Sequence, residues 1–153
     1  MMQDHLHAFV NNFIRRERRE RLNWLISRRC DEKRWFQAKL ELLSFSPIRH
    51  GLRYAVRLTD DESVPSNLLQ RLQRAGAPET CYHLSLYKVG TPSDEEELSL
   101  DEALAYRHLY GGTLISCIPG KLVVLNGDVR GDNFLFMKGE PKKTLQPPRR
   151  ARR

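Results

Sequence analysis

Glycine and proline are both missing from residues 1–46, so nothing local forbids helix anywhere in that stretch. Long apolar runs are missing too: no segment approaches the about 18 residues that a membrane-spanning helix needs. Cysteine is scarce. Cys30, Cys81 and Cys117 are odd in number and far apart, which fits reduced thiols better than a disulfide framework. The first residues lack a charged-then-apolar leader pattern, since His5, His7, Asn11 and Asn12 interrupt it, and the expected compartment is therefore cytoplasmic. No internal repeat is visible. A convergent catalytic set is lacking as well. Cys81 and His83 would share one face of a strand, but side chains two positions apart are about 7 Å from each other and no second pair stands at metal-ligand spacing. The sequence thus names no catalytic residue, no metal ligand and no cofactor.

What is present is an ordinary globular composition, 153 residues with 40% apolar and 29% charged side chains, enough to bury a core without staples. The reading is one α+β domain over residues 1–137 and a basic tail over 138–153. The formal net charge of +7 is unevenly spread, with +5 in residues 1–50, −4 in residues 51–137 and +6 in residues 138–153. The positive excess therefore lies at a basic end and along a helical flank rather than over the whole surface.

Leu6, Phe9, Val10, Phe13 and Ile14 fall at i, i+3, i+4, i+7 and i+8, one stripe of an amphipathic helix with Asp4 near its start. Continuing that helix places Glu17, Glu20 and Trp24 on the core line and turns Arg15, Arg18 and Arg19 to the other side. These three arginines are the first candidates for a face that meets phosphates or an acidic protein; a solvated ladder of ion pairs is the plainer alternative. Asp31 with Glu32 begins a second helix that runs to about Leu43, with Phe36, Leu40 and Leu43 inward.

Arg49–Thr59 alternates as a strand, Ser63 or Ser66 beside Pro65 starts a short helix through Leu68, Leu69 and Leu72 that Gly76 closes, and Thr80–Tyr87 is again a strand. Asp94–Glu97 reads as an exposed acidic loop. Ser99 and Glu102 form a capping box for a helix that Gly111-Gly112 ends. A β-meander follows, Thr113–Ile118, Lys121–Leu125 and Asn133–Met137, joined by turn residues at Pro119-Gly120 and Asn126-Gly127. Its middle strand is apolar on both faces and so belongs inside the sheet. The expected architecture is a long N-terminal helix and a second helix packed on an antiparallel sheet of about five strands. A C-terminal β-meander and a disordered tail complete it, the tail carrying Lys142, Lys143, Arg149, Arg150, Arg152 and Arg153.

Gly127-Asp-Val-Arg-Gly-Asp-Asn133-Phe-Leu-Phe resembles the catalytic loop of the aminoglycoside and choline kinase-like phosphotransferases. That resemblance implies Asp128 as a base and Asn133 as a metal ligand. Asn126 stands where that family has histidine, and no Asp-Phe-Gly-like segment follows. The expectation from charge segregation is a non-enzymatic binding module for an acidic partner, nucleic acid ahead of an acidic protein surface. Its binding residues would be Arg15, Arg18 and Arg19 with the six tail cations. The alternatives are a small metal-dependent phosphotransferase-like enzyme using Asp128 and Asn133, and a protein that neutralises one specific protein partner.

Overall fold

A computed structural model describes residues 2–43, 54–86, 95–109, 112–127 and 133–138. Three helices come first: α1 (Met2–Phe13), α2 (Arg16–Ile26) and α3 (Glu32–Leu43). The expected long first helix is broken at Ile14-Arg15, where Arg15 takes the extended values φ −56° and ψ 139°. The break has a cause in the apolar phase. Leu22, Leu25 and Ile26 form a second buried stripe, and at 100° per residue its centre is rotated by roughly 145° from that of Leu6–Ile14. One continuous helix cannot turn both stripes to the same core, and two shorter ones can. Arg19 Nε closes the end of α1 by donating to the Ile14 carbonyl at 2.8 Å. In α3 the Asp31 carboxylate accepts from the backbone N–H groups of Lys33 and Arg34 at 3.1 and 3.2 Å, as its cap. Ala38, Leu42 and Leu43 lie inward; Phe36, expected there, is 44% exposed.

The rest of the chain forms β1 (Ala55–Arg57), α4 (Asp60–Ser63), α5 (Pro65–Arg74), β2 (Thr80–Ser85), β3 (Glu95–Ser99), α6 (Leu100–Leu109), β4 (Thr113–Ile118), β5 (Leu122–Asn126) and β6 (Asn133–Met137). The described strands make a six-stranded antiparallel sheet in the order β1-β6-β5-β4-β2-β3. The sixth strand is the acidic stretch read from sequence as a loop. Glu95–Ser99 pairs with Thr80–Leu84, and the acidic residues sit on an outer strand, where charge discourages further strand addition. Among the described residues of the strand expected over Arg49–Thr59, Ala55–Arg57 forms the strand; residues 49–53, like the tail from 139, lie outside the described residues.

Alternation along the strands divides the core in two. Tyr82, Leu84, Leu114, Val123, Leu125, Phe134 and Phe136 pack against α1–α3, whereas Cys81, Ile115, Cys117, Leu122, Val124 and Leu135 pack against Leu68 and Leu72 of α5 and Leu100, Ala103 and Leu104 of α6. The sheet is thus covered by helices on both faces. β5 runs through its interior, which is why four consecutive residues, Leu122–Leu125, are buried.

Two capping boxes set the start of the second helical layer. Glu102 N–H donates to Ser99 Oγ at 3.2 Å and Ser99 N–H to Glu102 Oε1 at 3.4 Å. Thr59 and Glu62 repeat the exchange at 3.2 and 2.8 Å ahead of α4.

At the β4–β5 turn Gly120 adopts φ +72°, and a Cβ there would stand 2.6 Å from Asn12 Nδ2 of α1. That amide is held, since Nδ2 donates to Ala8 C=O at 2.8 Å and Oδ1 accepts from Lys138 Nζ at 2.8 Å. Gly120→Ala is expected to lose about 1–3 kcal/mol of stability. Urea unfolding checks this, and a loss under about 0.5 kcal/mol would mean that the turn does not need the left-handed conformation.

Candidate functional site

Arginines of α2 and α3 divide into those used by the fold and those on the surface. Arg18 lies 3.6 Å from Glu41 and Arg21 2.6 Å from the same carboxylate, so two α2 cations are tied to α3 through one acid. These contacts, together with the burial that opposes them, leave the Glu41 carboxyl below its ordinary range. Arg19 is half-buried on the Ile14 carbonyl. Of the three helical candidates only Arg15 is exposed, and Arg18 and Arg19 serve the packing of α1, α2 and α3. The tail candidates Lys142, Lys143, Arg149, Arg150, Arg152 and Arg153 lie outside the described residues.

The exposed cationic surface of this hairpin is elsewhere. Trp24 is 42% exposed, and the guanidinium carbons of Arg28 and Arg34 stand 4.7 and 4.9 Å from its ring centroid. Arg28 reaches the indole from the turn that follows α2 and Arg34 from α3, so the cluster exists only once the two helices pair. Sequence reading passed over it because Trp24 stood on the line of a continuous helix; its spacing of four from Arg28 was the available signal. Residues 15–41 carry ten basic and five acidic side chains. Taken by layer, residues 2–43 hold a formal +4, whereas α4, α5 and α6 together hold −2. The charge segregation seen along the chain is therefore also a segregation across the sheet.

Arg29 is different again. Its guanidinium grips Glu95 at 2.5 and 2.9 Å, Tyr82 Oη donates to the same carboxylate at 3.0 Å, and the cation lies 4.6 Å from the Trp35 ring centroid. This network binds the end of α2 to the β2–β3 edge of the sheet.

On the opposite face, a row of polar residues crosses the sheet at its end. Ser85 pairs with Thr113, Thr113 with Asn126, and Asn126 with Asn133, and directly opposed residues point to the same side. That side is the α6 side, because Ile115, Val124 and Leu135 lie two positions along from members of the row. Tyr106 and Arg107 of α6 meet it. Tyr106 Oη is 3.3 Å from Ser85 Oγ, and its ring stands edge-on to His83 with centroids 4.9 Å apart. Arg107 is 3% exposed; its Nη1 donates to the Ser63 carbonyl at 3.1 Å and its Nη2 to Asn133 Oδ1 at 3.0 Å. Its own carbonyl accepts from Asn126 Nδ2 at 3.2 Å. Burial lowers the Arg107 pKa to about 10. The sequence signal was present but unread: Leu100, Ala103, Leu104 and Arg107 are i, i+3, i+4 and i+7 of one stripe.

This geometry bears on Asn133. The amide oxygen that the phosphotransferase resemblance assigns to a metal accepts a hydrogen bond from a guanidinium, and a cation could share it only against that positive charge. Asp128 lies outside the described residues. Among the described residues no group of three His, Cys, Asp or Glu could hold a metal ion. Cys81 and His83 do share a strand face, as read from sequence, but both are buried, and burial pushes the Cys81 thiol up to about 12, so the thiolate is negligible at neutral pH. An open cleft of about 300 Å³ lies between α4 and α5, lined by Asp61, Glu62, Asn67, Gln70, Arg71 and Arg74. Arg71 stands 3.6 Å from Glu62 within it. No helix among the described residues is long and apolar enough to cross a membrane.

No family model matches the chain, and no curated protein or solved structure matches it.

Proposed function

We propose that this chain is a non-enzymatic binding module for an acidic partner, with nucleic acid, single-stranded above all, preferred to an acidic protein surface. The observation that carries the reading is the exposed Trp24 indole with the guanidinium groups of Arg28 and Arg34 over its ring, on a hairpin rich in positive charge. Planar guanidinium groups stack on bases and pair with phosphates, and an indole adds a sequence-tolerant stacking surface. Arg15 would extend the cationic surface toward the start of α2, and the tail cations Lys142, Lys143, Arg149, Arg150, Arg152 and Arg153 would act as an electrostatic arm. Arg18 and Arg19 drop out of the binding set, because their contacts are internal.

The test is fluorescence anisotropy of a labelled single-stranded oligonucleotide across a series of salt concentrations. Trp24→Ala is expected to weaken binding roughly tenfold or more. The double change Arg28→Gln with Arg34→Gln should flatten the slope of log affinity against log salt by about 1.4, two phosphate contacts on a single strand. Arg18→Gln should leave that slope as it was. Equal affinity and slope in all three proteins would remove the hairpin as the binding surface, and a duplex or an acidic protein bound while the single strand is ignored would replace the preferred partner.

A further inference from the structure

The buried row under α6 has a chemical imbalance that the packing alone does not explain. Arg107 is a cation at 3% exposure, yet its hydrogen-bond partners are two neutral oxygens, and no carboxylate pairs with it among the described residues. Among the described residues its Nε–H has no partner, nor has the hydroxyl of the fully buried Thr113, nor the hydroxyl of Ser63, whose carbonyl Arg107 already holds. All three atoms can donate. Folded proteins rarely leave buried donors unpaired, and a buried charge without a counter-charge is among the costliest arrangements a core can contain. Among the described residues, no acceptor bearing negative charge meets these donors. The row sits at the last paired residue of β2 and β5 and the first of β4 and β6, so Thr113, and Asn133 on which Arg107 and through it Ser63 are held, lie at the end of the sheet rather than in its middle.

We propose that Arg107, with Thr113 and Ser63, forms a binding site for a small oxyanion, the carboxylate or phosphate group of a small molecule. An oxyanion is an acceptor without donors, which is the complement of the unpaired set. Nη1 and Nη2 stay on Ser63 and Asn133 and fix the plane of the guanidinium, leaving the Nε edge for the ligand. The site lies on the opposite side of the sheet from Trp24, Arg28 and Arg34, so it stands or falls separately from the nucleic-acid reading.

The experiment follows the thermal midpoint of the full chain during separate titrations with inorganic phosphate and with acetate, at ionic strength matched with chloride. A saturable rise with one of them is expected, and which one responds assigns the group. Arg107→Lys keeps the charge but loses the Nε edge, and should weaken the apparent affinity roughly tenfold or more. Thr113→Val removes only the hydroxyl. It is expected to hold or raise the midpoint without anion while weakening the anion response several-fold, a split that a purely structural residue would not give. The pair Arg28→Gln and Arg34→Gln should respond as the parent does. A response to neither anion, a non-saturating rise shared by parent and Thr113→Val, or a saturable rise lost in the Arg28/Arg34 variant would each overturn the assignment.

Discussion

Replacing Phe136 by alanine is expected to remove about 3–5 kcal/mol of folding stability, a large part of the about 5–15 kcal/mol that holds a domain together. Phe136 is fully buried on β6, and its ring centroid lies 5.2 Å from that of Phe9 and 5.2 Å from that of Phe13. It is thus the point at which α1 is seated on the sheet, and truncation leaves a cavity bounded by two aromatic rings that cannot both follow it inward. Urea unfolding followed by tryptophan fluorescence measures the loss as a lower midpoint at unchanged slope. Val56→Ala on β1, at 50% exposure, is the contrast and should cost under about 0.5 kcal/mol. Similar losses at the two positions would show that α1 does not cover Phe136.

The second large effect tests the break in the N-terminal helix. Leu25 is 3% exposed and Trp24, its neighbour, 42% exposed. Leu25→Ala should cost about 2–5 kcal/mol and Trp24→Ala about 1 kcal/mol or less, although tryptophan loses far more atoms. A continuous helix from Leu6 onward would bury Trp24 with Phe13 and expose Leu25, and would give the opposite order. The reversed ranking would therefore restore the single long helix and return Arg18 and Arg19 to the surface.

The two outcomes matter for the proposed function because the proposed binding surface follows from the break. With α2 rotated relative to α1, Arg18 and Arg21 meet Glu41, Arg19 meets the Ile14 carbonyl, and Trp24 comes to the surface with Arg28 and Arg34 over it. Extending α1 in phase turns Arg15, Arg18 and Arg19 outward together; with the break, Arg15 is exposed while Arg18 and Arg19 make contacts within the fold.

Local rules, by contrast, carried well wherever a contact spans only a few residues. Ser99 with Glu102, Asp31 before α3 and the turn at Gly120 are each set by backbone groups within a turn, and each was visible in the residue order. The same rule would have found the Thr59–Glu62 box, which has the identical spacing. The apolar run of β5 identified a strand inside the sheet, because burial on both faces leaves no room for alternation.

By itself, then, the sequence determined the class of fold, the caps and turns, the interior strand and the concentration of positive charge near the N-terminus, since all of these depend on propensity and spacing within one element. Only the tertiary structure decided where the first helix breaks, that Glu95–Ser99 joins the sheet, that Arg18 and Arg19 are consumed by packing, and that Arg107 lies buried over Asn133. The reason is physical: each of these depends on a partner at long sequence separation, and a charged side chain carries no mark of whether it will meet water, a carboxylate or a carbonyl until the elements around it have packed.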